Sequence, residues 1–306
     1  MKLGLLVFEL GLERNDISRL FDYAQMADEL GYSRLWLGEH YDDPLNYWSN
    51  PEPLLPLILG HTDRITVGTA GTLIRLHSPY RVASSFRLLN SMFLDRVDLG
   101  LAGGYAKEVA VQALTGMDMD TFVAQDRYAP TQEVISLFRD EPQYLEKSLF
   151  VNPTAFPAPH LWILSFSYRG LPFVLESQCC YSRTLFHSVA PPTPDRASAM
   201  AFREQYEAKY GRPAQLNIAV AGIMGKDEKD AQQRLIKTSY ATNPFYQANI
   251  LGSPQQVTDY LHGLTETYGV DEVIWLDLDA DMEHRMRTLQ ALSPLIAAPI
   301  SEAPTT

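Results

Sequence analysis

Cysteine is scarce: the 306 residues contain two, adjacent at Cys179 and Cys180. Neighbouring thiols are poorly placed for a structural disulfide, and two alone cannot complete a zinc site. They are read as free thiols. Positive charge is also in deficit, with 25 Lys and Arg against 37 Asp and Glu and a formal net charge of −12. A nucleic-acid partner is excluded on that ground, because phosphate binding wants a basic face. A membrane surface is disfavoured for the same reason. No apolar run is long enough to span a bilayer, and "MKLGLLVFELG" turns polar at Glu13 before reaching signal-peptide length. A cytoplasmic protein is expected. Also missing are a dinucleotide-type glycine loop after the first strand, where "FELGLER" stands, and a P-loop spacing in "LAGGYAK". The histidines show no H-E-x-x-H pattern, so no metal site is expected.

What is present is an alternation of apolar strands and amphipathic helices. Strand-like runs are Leu3–Leu10, Ser33–His40, Arg64–Ala70, Arg96–Ala102, His160–Phe166, Leu171–Ser177, Gln215–Gly225 and Glu272–Leu278. Between them, stripes such as Ile17, Leu20, Phe21, Ala24, Ala27 and Leu30 recur at helical spacing. Asp16 can cap that first helix and Gly31 can end it; Ser253-Pro254 opens a later one. Such alternation implies a mostly parallel sheet. Eight strands in this length fit an α/β (β/α)₈ TIM barrel spanning residues 1–298 as one domain, with 299–306 as a tail. A doubly wound open sheet is the competing architecture.

In a barrel, reactive groups gather where strands end. That rule selects Glu39 and His40 after strand two, Ala70 to His77 after strand three, Gly103 to Lys107 after strand four, and Ser165 to Arg169 after strand five. Successive strand residues face opposite ways, so only one of Glu39 and His40 can readily face the mouth. His40 suits acid–base work near neutral pH, with a satisfied structural histidine as the alternative. Gly71 lets backbone approach a flat ligand closely. Ser165, Ser167 and Arg169 can hold a phosphate, with a solvated loop as the alternative. Tyr41, Tyr47, Trp48 and His77 are candidates for a substrate pocket, with ordinary loop packing the alternative for the aromatic ones.

"FDYAQMADELGYSRLWLGEHY" followed by "ITVGTAGTLIRLHSPYRVASSFRLLNSMFLDRVDLGLAGG" resembles the bacterial luciferase-like flavin monooxygenase family. The resemblance runs from Met1 to about Asp140 and resumes at "HLWILSFS" and "LGSPQQVTDYL…YGVDEVIWL". It implies a (β/α)₈ barrel, a homodimer, and reduced FMN supplied by a separate flavin reductase. With O₂ the flavin would form a hydroperoxide that oxygenates a small organic substrate. By this resemblance His40 manages protons beside the flavin, Ala70-Gly71 is a cis peptide under its ring, and Ser167 contacts its phosphate. The chain departs from the family in placing Gly103 where an arginine is expected, with Arg169 or Lys107 as substitutes, and Phe166 where an acidic residue is expected. The early "GLPF" points to a fifth helix that is lost, shortened or displaced, and the long mobile lid between strands seven and eight looks absent. Two further readings stay open: a deazaflavin-dependent hydride-transfer oxidoreductase, and a non-catalytic flavin-binding or partner subunit.

Overall fold

The structure, a computed structural model, describes residues 1–11, 16–41, 46–104, 106–189 and 196–296. Its strands are β1 (Lys2–Val7), β2 (Arg34–Leu37), β3 (Thr66–Leu73), β4 (Val97–Ala102), β5 (His160–Ser165), β6 (Cys180–Thr184), β7 (Leu216–Met224), β8 (Ile250–Gly252) and β9 (Glu272–Asp277). Strands β1 to β7 pair in order and in parallel, and β9 joins β7 back to β1. That ring is a closed eight-stranded barrel, so the open doubly wound sheet is excluded. The three-residue β8 extends the sheet beside the end of β7.

The helices are α1 (Ser18–Glu29), α2 (Leu55–Gly60), α3 (Pro79–Met92), α4 (Glu108–Thr115), α5 (Met119–Ala124), α6 (Ala129–Phe138), α7 (Pro142–Leu145), α8 (Leu171–Ser177), α9 (Arg196–Tyr210), α10 (Glu228–Leu235), α11 (Pro254–Tyr268) and α12 (Met282–Leu292). Local chemistry explains several boundaries. Ser253 and Gln256 form a reciprocal capping box behind Pro254. Ser78 caps α3 through the Arg81 N–H. Asp16 accepts from the Ser18 N–H, and Gly31, at φ 84°, turns the chain after α1.

The sixth strand is a correction. "LPFVLES" is helix α8, and the strand is "CYSRT", nine residues further on. A short apolar run does not distinguish the two by itself. Here Pro172 suits a first helical turn, Leu171 and Val174 bury one face, and Gln178 leaves in the left-handed region. The fifth helix is therefore present but shortened to seven residues. Helices α4, α5 and α7 are additions the sequence reading did not assign. The first two close over a small satellite core of Leu76, Ala106, Val111 and Phe122. The expected tail, 299–306, lies outside the described residues, as do residues 42–45 of the loop after strand two.

Strand alternation sorts the barrel into two cores. Leu3, Leu5, Val7, Leu35, Leu37, Val67, Leu99 and Ile163 face the helices. Leu6, Phe8, Trp36, Ala70, Trp162, Ala219, Ile274 and Leu276 fill the interior. At the N-terminal end the interior turns ionic. Arg34 donates to Asp98 at 2.5 Å and to Glu272 at 2.8 Å, and its guanidinium lies 4.5 Å from the Trp162 ring centre. Asp98 also accepts from the indoles of Trp36 and Trp162, and Asn217 donates to Glu272. Burial pushes the Asp98 carboxyl up, but Arg34 and the hydrogen bonds from His160 and Trp36 outweigh it and hold it below the usual range. This network plugs one end of the barrel.

Candidate active site

The opposite end gathers the residues selected from the sequence. Strand register aligns Val7, Leu37 and Thr69, so Phe8 and Gly38, leaving their strands, lie side by side with Ala70 inside β3. Alternation then puts His40 on the interior side, where its ring packs edge-on against Phe8 at 4.6 Å. Gly38 makes this possible: a Cβ there would drive into the Phe8 ring. The Ala70-Gly71 peptide is cis, and Ala70 belongs to the interior core.

Glu39 turns the other way. Its carboxylate is buried and accepts from Tyr41 Oη at 2.5 Å, His77 Nε2 at 2.6 Å and the Leu73 backbone N–H at 2.8 Å. Burial first, and then the Glu39 hydrogen bond, raise the Tyr41 phenol well above its ordinary value, so it stays a donor. Tyr41 and His77 are thus brought together, but on Glu39. Trp48 is 7 % exposed and belongs to the outer core, with its indole donating to the Gly38 carbonyl. That is loop packing, the alternative stated for it. Tyr47 is exposed.

On the β4–β5 side, Ala102 pairs with Leu164, so Gly103 and Ser165 sit at adjacent strand ends. Ser167 and Arg169 follow in a short turn; Arg169 is exposed, and the Ser167 carbonyl accepts from Tyr181. The surface beside Gly103 is occupied by a residue the sequence reading missed. The Arg127 guanidinium lies 3.5 Å from where a Gly103 Cβ would stand. Arg127 precedes α6, about twenty-four positions on, so no local spacing pointed to it. Lys107 is exposed at the start of α4.

A second missed group comes from a strap, residues 243–249, hydrogen-bonded to the segment after β6. Gln247 N–H donates to Phe186 O at 2.8 Å, Ser188 N–H to Phe245 O at 3.1 Å, and Asn249 Nδ2 to Leu185 O at 2.9 Å. The strap carries Tyr246 over the mouth, where it meets the rings of Phe8, His40, Phe186, His187 and Tyr240. Its hydroxyl lies 3.5 Å from His40 Nε2. His187 Nδ1 lies 2.8 Å from Thr184 Oγ1. Burial, and then the charge of His40, lower the His187 imidazole to about 4, so it is neutral at pH 7. Burial pushes the Cys179 and Cys180 thiols up to about 11 and about 12, which keeps them protonated at neutral pH. Among the described residues no cluster of three or more His, Cys, Asp or Glu is placed to hold a metal ion. Nor is any helix there long and apolar enough to cross a membrane.

Comparison with known proteins adds an independent line. The profile of the luciferase-like monooxygenase family matches residues 5–259. Among curated relatives, an N-acetyl-S-alkylcysteine monooxygenase of Bacillus subtilis is 26% identical, covering 81% of this chain and 74% of its own. The oxygenase component of a flavin-dependent trigonelline monooxygenase of Acinetobacter baylyi is 23% identical, covering 93% and 90%. Two solved structures share the fold. One is the oxygenating constituent of 3,6-diketocamphane monooxygenase from Pseudomonas putida in complex with FMN, with TM-score 0.67, 16% identity and coverage of 98% and 99%. The other is an F420-dependent secondary alcohol dehydrogenase, with TM-score 0.68, 11% identity and coverage of 96% and 98%.

Proposed function

This chain belongs to the luciferase-like monooxygenase family, a family of flavin-dependent oxidoreductases, and we propose that it is the oxygenase half of a two-component system. In this reading reduced FMN arrives from a separate reductase, and the chain uses it with O₂ to oxygenate a small organic molecule. The carrying observation is His40, held on the interior side of the barrel mouth between Phe8 and Tyr246, where an imidazole can give and take a proton. The relative named as an oxygenase component supports the separate reductase.

The residues present suit a flat, phosphorylated cofactor. Ala70 and Gly71 offer a surface without bulky side chains. Ser167 and the exposed guanidinium groups of Arg169 and Arg127 offer donors and charge for a phosphate. Arg127 would stand in for the arginine that Gly103 lacks. Reduced flavin supplies the electrons that activate oxygen; the chain orients it, excludes water and manages protons at His40. The aromatic wall of Phe8, Phe186 and Tyr246 faces the organic substrate. Leu57 on α2 and Leu88, Met92 and Leu94 at the end of α3 are each at least half exposed. These residues are proposed to form the two-fold contact of a homodimer.

The test is anaerobic titration with reduced FMN, then with a reduced deazaflavin, followed by admission of air. Saturable FMN binding that weakens about tenfold in Arg127→Ala, equivalent to ~1.4 kcal/mol, is expected. Oxygen-dependent turnover should collapse in His40→Ala. Binding of the deazaflavin alone would replace the reading with hydride transfer, and binding of neither would leave a partner subunit.

A further inference from the structure

The Glu39 carboxylate faces away from the mouth, yet its three hydrogen bonds bracket the two features on which the mouth depends. One goes to Tyr41, the residue after His40. Another goes to the backbone of Leu73, two residues beyond Gly71. The third comes from His77, just before the Ser78 cap of α3. The chain leaving β2 and the chain leaving β3 are thereby held against each other by one side chain that is 1% exposed.

We propose that Glu39 is the positioning residue of the mouth, fixing His40 relative to the Ala70-Gly71 segment by clamping the ends of β2 and β3 together. It touches neither cofactor nor substrate and acts through His40. Two features argue that this placement is specific. The acceptors are divided: Oε1 takes Tyr41 and His77, while Oε2 takes the Leu73 N–H. An amide at this position has one acceptor where the carboxylate has two: it either faces the Leu73 N–H with a donor or requires Tyr41 and His77 to accept, so the charge-assisted clamp is weakened without changing the side chain's size. In addition, β3 shifts register against β4 between Thr69 and Thr72, so its end is not set by strand pairing alone. Pairing with β4 resumes at Thr72 and Leu73, but pairing with β2 ends at Thr69, so the Glu39–Leu73 bond is what ties this last part of β3 to the chain leaving β2.

The experiment compares wild type, Glu39→Gln and Tyr41→Phe, using histidine Cε1–Hε1 NMR across pH 5–9 on the protein without ligand. The His40 resonance is assigned from His40→Gln. Thermal unfolding and reduced-FMN titration accompany it. The expected result is a folded Glu39→Gln protein whose His40 resonance and titration midpoint both move, with reduced-FMN affinity lowered about tenfold. Tyr41→Phe removes one of the three bonds and should give a smaller change in the same direction. An unmoved His40 titration in a folded Glu39→Gln protein overturns the proposal, whatever happens to its melting temperature. If Glu39→Gln does not fold, Tyr41→Phe decides by the same reading. The NMR result stands without flavin, so it separates failure of the clamp from failure of the proposed function, on which only the FMN arm rests.

Discussion

Gly38 shows how much one missing methyl can determine. It is the last interior position before the Glu39-His40 pair, and its bare backbone gives Phe8 room to lie across the strand end. His40 then packs on Phe8. Gly38→Ala should force the Phe8 ring out of place, destabilising the protein by about 1–3 kcal/mol through overpacking. Denaturant unfolding measures the loss, and oxygen-dependent turnover should fall with it because the support beneath His40 is gone. A variant with unchanged stability would mean that Phe8 can repack freely. The same residue scale shows what sequence could and could not say. Alternation along β2 distinguishes the roles of Glu39 and His40, since only the latter continues the interior series Arg34, Trp36, Gly38. The partners of Glu39 were invisible, because His77 lies 38 positions away and is joined only by tertiary contact.

At the scale of elements, the strap from 243 to 249 is held by the ring contacts of Tyr246 and by hydrogen bonds. Asn249 is its anchor: its Oδ1 accepts from the Ala221 N–H at 2.9 Å and its Nδ2 donates to Leu185 O. Asn249→Ala leaves both groups without that partner and should cost about 1–3 kcal/mol locally. Hydrogen–deuterium exchange should rise across 243–249 while the barrel strands stay protected. Equal protection in the variant would show that the remaining backbone bonds suffice. Strands were legible wherever the sequence was long and apolar, as at β7 and β9. They failed at β6, whose "CYSRT" buries the polar Ser182 and Arg183, the latter against the rings of Tyr168 and Tyr268, while the apolar "LPFVLES" nearby is a short helix. Arg127 and Tyr246 were missed for one reason: both arrive on excursions between barrel units, where no periodic pattern fixes their destination.

The whole molecule is organised as a barrel with unlike ends. Arg34→Ala would leave Asp98 and Glu272 as uncompensated buried charges at the plugged end. A loss of about 3–5 kcal/mol is expected, read as a lower denaturant midpoint. The pH dependence has a defined sign. The Asp98 carboxyl is depressed in the folded chain, so its contribution is present above its unfolded value and disappears as pH falls through the folded one. Removing Arg34 raises the folded value, and acid unfolding should therefore begin at higher pH than in wild type. An unshifted acid transition would show that His160 and the two indoles carry the stabilisation alone.

The plug has a further consequence, and it concerns traffic. With Arg34 wedged beside Trp162 at one end, the described residues leave the approach to the barrel interior at the other, where His40 and Tyr246 stand. Tyr246 beside His40 and Arg127 beside Gly103 both lie at that end. If the proposed chemistry takes place there, the strap, whose Tyr246 stands beside His40, would be the element that arriving and departing molecules pass.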